Sequence, residues 1–285
     1  IGLPESIYTL DSPLDDATTA KAFTEEVRLA GGSETIDWVG GVFYSTSERD
    51  YAQSLFVGGF TAASGIPTAG LAAPEDVLFY SDLSYEFDQL ALFGEVTWSV
   101  TESFNLTGGL RYYDFEESRT QIFDGIFGND NNGTSLVATS GSTSADGIVP
   151  RMIAEWKLSD ATSLNAQISQ GFRLGGINDP LNVPLCTPQD LETFGGQDAW
   201  DDETLWNYEI GSKSTIMDGK GSFNVAAFYM DITDLQATVT AGSCSSRVIF
   251  NVPSSHSAGL EFEFAVAPTD HFDFSISASY ADSQL

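Results

Sequence analysis

Apolar and polar residues alternate along several stretches of this chain. From Ser103 to Tyr113, Phe104, Leu106, Leu110 and Tyr112 fall on one side, and Asn105, Thr107 and Arg111 on the other. Ile148, Met152, Ala154, Trp156 and Leu158 oppose Arg151, Glu155 and Lys157. Leu164, Ala166, Ile168 and Phe172 oppose Asn165, Gln167, Ser169 and Arg173. Trp206, Tyr208 and Ile210 oppose Asn207, Glu209 and Lys213, and Leu260, Phe262, Phe264 and Val266 oppose Glu261 and Glu263. Successive side chains of a strand point to opposite faces, so a period of two predicts strands with one apolar and one polar face. The pattern places strands near 21–30, 34–48, 82–99, 103–118, 147–158, 163–174, 204–217, 221–233, 254–267 and 271–284.

The connections sharpen this picture. Gly31–Ser33, Val100–Glu102, Ser159–Thr162, Asp218–Lys220 and Pro268–Asp270 are tight, whereas Arg49–Ser81, Arg119–Asp146, Gly175–Glu203 and Asp234–Pro253 are long. Tight and long connections in strict alternation are the layout of a transmembrane β-barrel with short periplasmic turns and long extracellular loops. A soluble sandwich has no reason to be so regular. Most strands reach the 9–11 residues, roughly, that a tilted strand needs to cross hydrocarbon. Trp98, Phe104, Trp156, Phe223 and Phe272 lie near the tight turns, and Tyr44, Tyr112, Tyr208 and Tyr229 towards the long loops. That predicts two aromatic girdles where rings meet headgroups. The expected fold class is therefore all-β, an antiparallel barrel segment of about ten strands. The polar stretch from Gly128 to Asp146 reads as a mobile loop.

Composition agrees. Abundant Phe, Tyr, Val, Ile, Thr and Ser favour strands, and 42% apolar residues exclude a disordered acidic chain. The net charge of −30, with only 11 basic residues, excludes nucleic acid as a partner, because phosphate-binding surfaces gather Lys and Arg. The first residues show neither a basic n-region nor an apolar h-region, and the last fall within an alternating stretch. Both ends read as cuts, so the chain is expected to be an internal piece of a longer protein. The longest uncharged stretch, Tyr51 to Pro74, is broken by glycines and reads as a loop rather than a membrane helix.

The strand motifs, taken in order, carry a resemblance: AFTEEVRLA, DWVGGVFYS, FGEVTW, GLRYYDFE, SQGFRLGGIND, LWNYEIGSKS, NVAAFYMDITDLQ and SAGLEFEF. The series resembles TonB-dependent outer-membrane receptors. The resemblance implies a partial barrel over 21–285, with 1–20 as the end of an extracellular loop. The family's globular plug and remaining strands are absent. It implies TonB-dependent uptake of a scarce ligand such as a ferric siderophore or other metal chelate. The partners implied are outer-membrane lipid and a TonB complex acting through the absent plug.

Several residues stand out as candidates. Arg111, Arg151, Arg173, Glu209, Lys213 and Glu261 share the polar strand face, the lumen in a barrel. They either pair across strands to steady the wall or meet ligand. Arg173, in GFRLGG near a long loop, is the best placed of them. Trp200 sits among Asp198, Asp201, Asp202 and Glu203, which read either as oxygen ligands for calcium or as a solvated acidic loop. GNDNNG at 128–133 lacks the closing Glu of a calcium loop, and no metal site or cofactor is expected. Cys186 and Cys244 fall in consecutive long loops, where an oxidising exterior allows a disulfide that would staple them.

Catalysis has little support. The histidines, His256 and His271, fall at opposite ends of one predicted hairpin, and there is no GxSxG, HExxH or P-loop. No enzyme is expected. The alternatives to an active transporter are a small passive porin or adhesin barrel and, further off, a secreted sugar-binding sandwich.

Overall fold

A computed structural model describes residues 4–128, 136, 138–179, 181–244 and 246–285. Most of GNDNNG therefore lies outside the described residues. In chain order the elements are β1 (Leu14–Gly32), β2 (Ile36–Phe56), α1 (Phe60–Ser64), β3 (Val77–Thr101), β4 (Phe104–Asp124), β5 (Ala138–Ser159) and β6 (Thr162–Arg173). Then follow β7 (Gly176–Ile177), α2 (Pro188–Phe194), β8 (Ala199–Trp200), β9 (Glu203–Ile216), β10 (Gly221–Thr240), β11 (Arg247–Thr269) and β12 (Phe272–Gln284).

Ten strands form one antiparallel meander in the order β1-β2-β3-β4-β5-β6-β9-β10-β11-β12, and β7 pairs with β8 beside it. The expected alternation of tight turns and long connections holds. Several strands run further than expected, however, chiefly at the long-loop end. β2 continues to Phe56, β3 starts at Val77, β4 reaches Asp124 and β11 starts at Arg247. The stretch before Asp146, read as mobile loop, is strand from Ala138, paired residue by residue with β4. β1 likewise starts at Leu14, where Leu14 pairs with Leu55. These extensions were missed because backbone pairing continues where the apolar alternation stops.

The alternation does more than stop; it changes sides. Near the tight turns, one face carries exposed large apolar residues: Leu110 is 60% and Ile210 61% exposed. No water-soluble protein leaves such a continuous apolar band uncovered. Trp98, Trp156 and Phe272 mark its lower edge, and Tyr44, Tyr112, Tyr208 and Tyr229 its upper edge, all exposed on that face. At that edge Tyr208 pairs directly with Tyr229, Tyr44 with Leu90 and Tyr112 with Ile148. Beyond it the same face turns acidic: Asp88 and Glu86 follow Leu90 on β3, and Asp114 and Glu116 follow Tyr112 on β4. The opposite face changes in the reverse sense. Below, it carries Arg111, Arg151, Glu95 and Lys213; above, Tyr113, Phe115 and Ala91 form a buried cluster with Phe87 and Phe43 against it. An outer face meeting lipid below and water above, with an inner face wet below and packed on loops above, accounts for the exchange.

Candidate functional site

The long-loop end of the inner face is built as a cap. β6 ends at Arg173 and β9 starts at Glu203, while β5, β10 and β11 run on past them. Residues 174–179 and 181–202 fold into the space left, held mainly by side chains bonding to backbone. The Asn178 amide donates to Ile249 O at 2.7 Å and accepts from Ile249 N at 2.8 Å, as a strand neighbour would. Gln236 Nε2 donates to the carbonyls of Arg173, Leu174 and Asp201. Asn251 accepts from Asp201 N and donates to Asp201 O and Asp234 O. Each bond satisfies a backbone group that has no ladder partner.

Cys186 and Cys244 are joined in a disulfide across 58 residues of sequence, tying this cap to the connection after β10. Cys244 is fully buried beside Ala241 and Val248. Asp190 reinforces the staple, accepting from Ser243 N at 3.0 Å, Ser243 Oγ at 2.5 Å and Thr187 Oγ1 at 2.8 Å. The Ser243 bonds hold the Asp190 carboxyl below its ordinary pKa. Asp76 works similarly in the 57–76 connection, its pKa lowered by the N–H groups of Thr61 and Gly59.

Between cap and wall lies a cavity of about 700 Å³. Tyr51, Phe79, Ser81 and Phe123 line it from the inner faces of β2, β3 and β4, and Asp179, Asn182 and Leu185 from the cap, with Arg247 at the start of β11. Its lining is divided about evenly between apolar side chains and polar or charged ones, so it offers both a surface for an apolar body and groups that can orient it. The buried Ser81 hydroxyl has no hydrogen-bond partner among the described residues. A second cavity of about 480 Å³ lies between the cap and the upper ends of β4 and β5.

The residues singled out from sequence separate into three places. Arg111 lies over the Phe43 ring at 5.2 Å, and Arg151 pairs with Glu95 at 3.6 Å, both on the inner wall. Glu209, Lys213 and Glu261 line a small polar recess nearer the tight turns. Arg173 supports the cap, bonding Glu203 at 2.5 Å and Gln236 O at 2.9 Å. Trp200 also belongs to the cap, its ring against Gly176 in the β7–β8 pair. Two of the four acids around it are engaged: Asp202 accepts from Gly175 N, and Glu203 from Arg173 and Gln236 N. Among the described residues no group of three His, Cys, Asp or Glu is placed to hold a metal ion. None of these residues lines the 700 Å³ cavity.

The cavity residues Tyr51, Phe79, Ser81 and Phe123 went unnoticed because only the first half of each strand was read as alternating. A signal was present. In Tyr85-Glu86-Phe87-Asp88 and Tyr113-Asp114-Phe115-Glu116 the aromatics have moved to the face that carries charge lower down. An inversion of phase within one strand marks where lipid ends and a packed interior begins.

Known proteins agree with this architecture. A pesticin receptor of Yersinia enterocolitica is 24% identical over 241 residues, covering 84% of this chain and 30% of the relative. The pesticin receptor of Yersinia pestis matches to the same extent. Among solved structures, the ferric yersiniabactin uptake receptor FyuA of Yersinia pestis superposes with a TM-score of 0.71 at 18% identity, over 95% of this chain and 36% of that one. The siderophore receptor PiuA of Acinetobacter baumannii gives 0.62 at 18% identity, over 95% of this chain and 39% of that one. The chain thus spans about a third of the length of these proteins. Residues 6–284 match the family described as "TonB dependent receptor-like, beta-barrel". The chain belongs to the β-barrel family of TonB-dependent receptors, transport proteins of the outer membrane rather than enzymes.

Proposed function

We propose that this chain supplies part of the barrel wall and extracellular cap of a receptor that takes up a scarce ligand, such as a ferric siderophore, with TonB-derived energy. In this reading the ten strands belong to a larger barrel whose plug and remaining strands lie outside the chain. The long loops capture the ligand, the inner wall holds it, and the plug relays the TonB complex. That the chain spans about a third of its relatives supports this division.

The observation that carries the reading is the 700 Å³ cavity under the cap, where the rings of Tyr51, Phe79 and Phe123 on the wall meet polar side chains of the wall and the cap. It lies above the lipid belt, where an extracellular ligand arrives first. The ferric uptake named for FyuA is a property of that protein; the cavity gives this chain a comparable place for a chelate. The test is growth of a strain deleted for the whole receptor gene, under iron limitation, on a panel of ferric chelates. One chelate supporting growth only when both the receptor and TonB are present is the expected result. Growth that depends on the receptor but not on TonB contradicts it and favours a passive barrel.

A further inference from the structure

Arg119 is the one buried cation among the described residues, and it faces the cap from the wall. It lies on the inner face of β4, with its side chain 5% exposed. Its Nη1 donates to Asp179 Oδ1 and to Ile177 O, at 2.8 and 3.0 Å. Its Nε, also buried, has no partner among the described residues. A buried guanidinium is costly unless its fork is filled, and a guanidinium fork suits a carboxylate held by two parallel bonds. Here it is held at one prong. The neighbouring Gln121 Oε1 is also buried and without a partner among the described residues.

Asp179 reaches this arginine from the cap. It is the one residue common to the linings of the two cavities, the 700 Å³ space under the cap and the 480 Å³ space that Arg119 lines. The loop carboxylate therefore stands between the larger cavity and the buried guanidinium. The wall of that cavity is aromatic, with Phe79 and Phe123 on it, and the Arg49 guanidinium lies over the Tyr85 ring at 4.3 Å on the same inner face.

Building on the uptake reading, we propose that the Asp179 carboxylate is a displaceable stand-in for the ligand, whose own carboxylate, carried on an aromatic or apolar body, takes its place on Arg119. The ligand class is then a carboxylate-bearing aromatic chelate. Exchange of one carboxylate for the other leaves net charge at Arg119 unchanged, and a ligand carboxylate not tethered to the loop can sit on the Nε–Nη2 edge, where two parallel bonds fill the open Nε that Asp179, held on Nη1, leaves unpaired. It also frees the segment around Ile177 and Asp179 from β4, joining the two cavities. The displacement makes the cap respond to a bound acid and not to a neutral molecule of the same shape.

The test uses benzoate and its neutral isostere benzamide, titrated into the whole receptor in detergent. Asp179→Asn removes the competing charge and is expected to tighten benzoate about tenfold, the factor by which a mostly closed latch weakens apparent affinity, and to leave benzamide unchanged. Adding Arg119→Gln to that variant is expected to abolish the gain. An unchanged benzoate affinity in Asp179→Asn, or an equal gain for benzamide, overturns the proposal. Hydrogen exchange on the unmodified receptor gives an answer even if the variants fail to fold. Benzoate, and not benzamide, is expected to speed exchange of the Asn178 amide, which donates to Asp198 O at 2.9 Å; the same rate with both overturns the latch. Failure of the latch in a receptor that still supports TonB-dependent growth leaves the uptake reading standing. A working latch without such growth contradicts uptake alone.

Discussion

The lower and upper halves of the same strands are held by different forces. In the lower half, the backbone ladder does nearly all the structural work. The apolar face meets lipid, which is as apolar as the side chains, so burial against protein contributes little. In the upper half the outer face is acidic, and the inner face packs aromatic rings against a cap. Tyr113 stacks on Phe172 with ring centroids 3.7 Å apart, just beyond the point where β5 and β6 stop pairing at Arg151 and Ser169. The cap itself is fixed by amides, a disulfide and a carboxylate rather than by a ladder. The wall therefore tolerates many residues of the right polarity at each position, whereas the cap depends on particular side chains.

A charge placed on the lipid face should break the wall most severely. Ile210→Arg, in the middle of the exposed apolar band, is expected to cost about 2–4 kcal/mol, read from urea unfolding in lipid vesicles. Arginine at Asp114, on the same type of face above the band, should leave that value nearly unchanged.

In the cap, Asn178→Ala removes both bonds to Ile249 and leaves two half-buried backbone groups unpaired. The expected cost is about 1–3 kcal/mol, confined to the cap. Hydrogen exchange should show faster exchange at Ile249 with unaltered protection in the lower strands.

Acid should loosen the cap before the wall. The Asp190 carboxyl has a folded pKa below its unfolded value of about 3.9. Its contribution is therefore complete above that unfolded value and is lost as pH falls through the lowered folded one. Faster reduction of the Cys186–Cys244 disulfide at the acid end of that window, measured after a brief acid pulse with a phosphine reductant, checks this. The smallest effect is expected at Lys21–Glu48, an ion pair 3.7 Å apart with both side chains exposed. Lys21→Ala should change stability by no more than about 0.5 kcal/mol.

This contrast also explains what the sequence made legible. The strand order, the tight turns and both girdles follow from a period of two, because lipid and water impose opposite polarities on adjacent positions. The outermost strand ends, beyond Ser118 on β4 and before Asp82 on β3, were read as loop because solvent covers the outer face there and the apolar alternation stops before the strand does. β5 above Asp146 is richer still in Ser, Thr and Gly, and only its pairing with β4 reveals it. The cap was least legible. Its two cysteines gave a hint, but the fit of Asn178 to Ile249 or of Arg119 to Asp179 joins residues 60 or more apart, and no local pattern encodes such a pairing. Arg173 was singled out for its glycine-rich setting, and the structure gives it a supporting role beside Glu203.

The exchange of faces along β4 is the claim on which the rest depends. Single cysteines placed in turn from Thr107 to Glu117 in the whole receptor, reconstituted in lipid and treated with a membrane-impermeant maleimide, test it directly. The native pair, Cys186 and Cys244, is already joined and silent. The account predicts labelling at the odd positions 107, 109 and 111, protection at 110 and 112 by lipid, then labelling at 114 and 116 with protection at the packed positions 113 and 115. Labelling that keeps to one parity from 107 to 117 would contradict it.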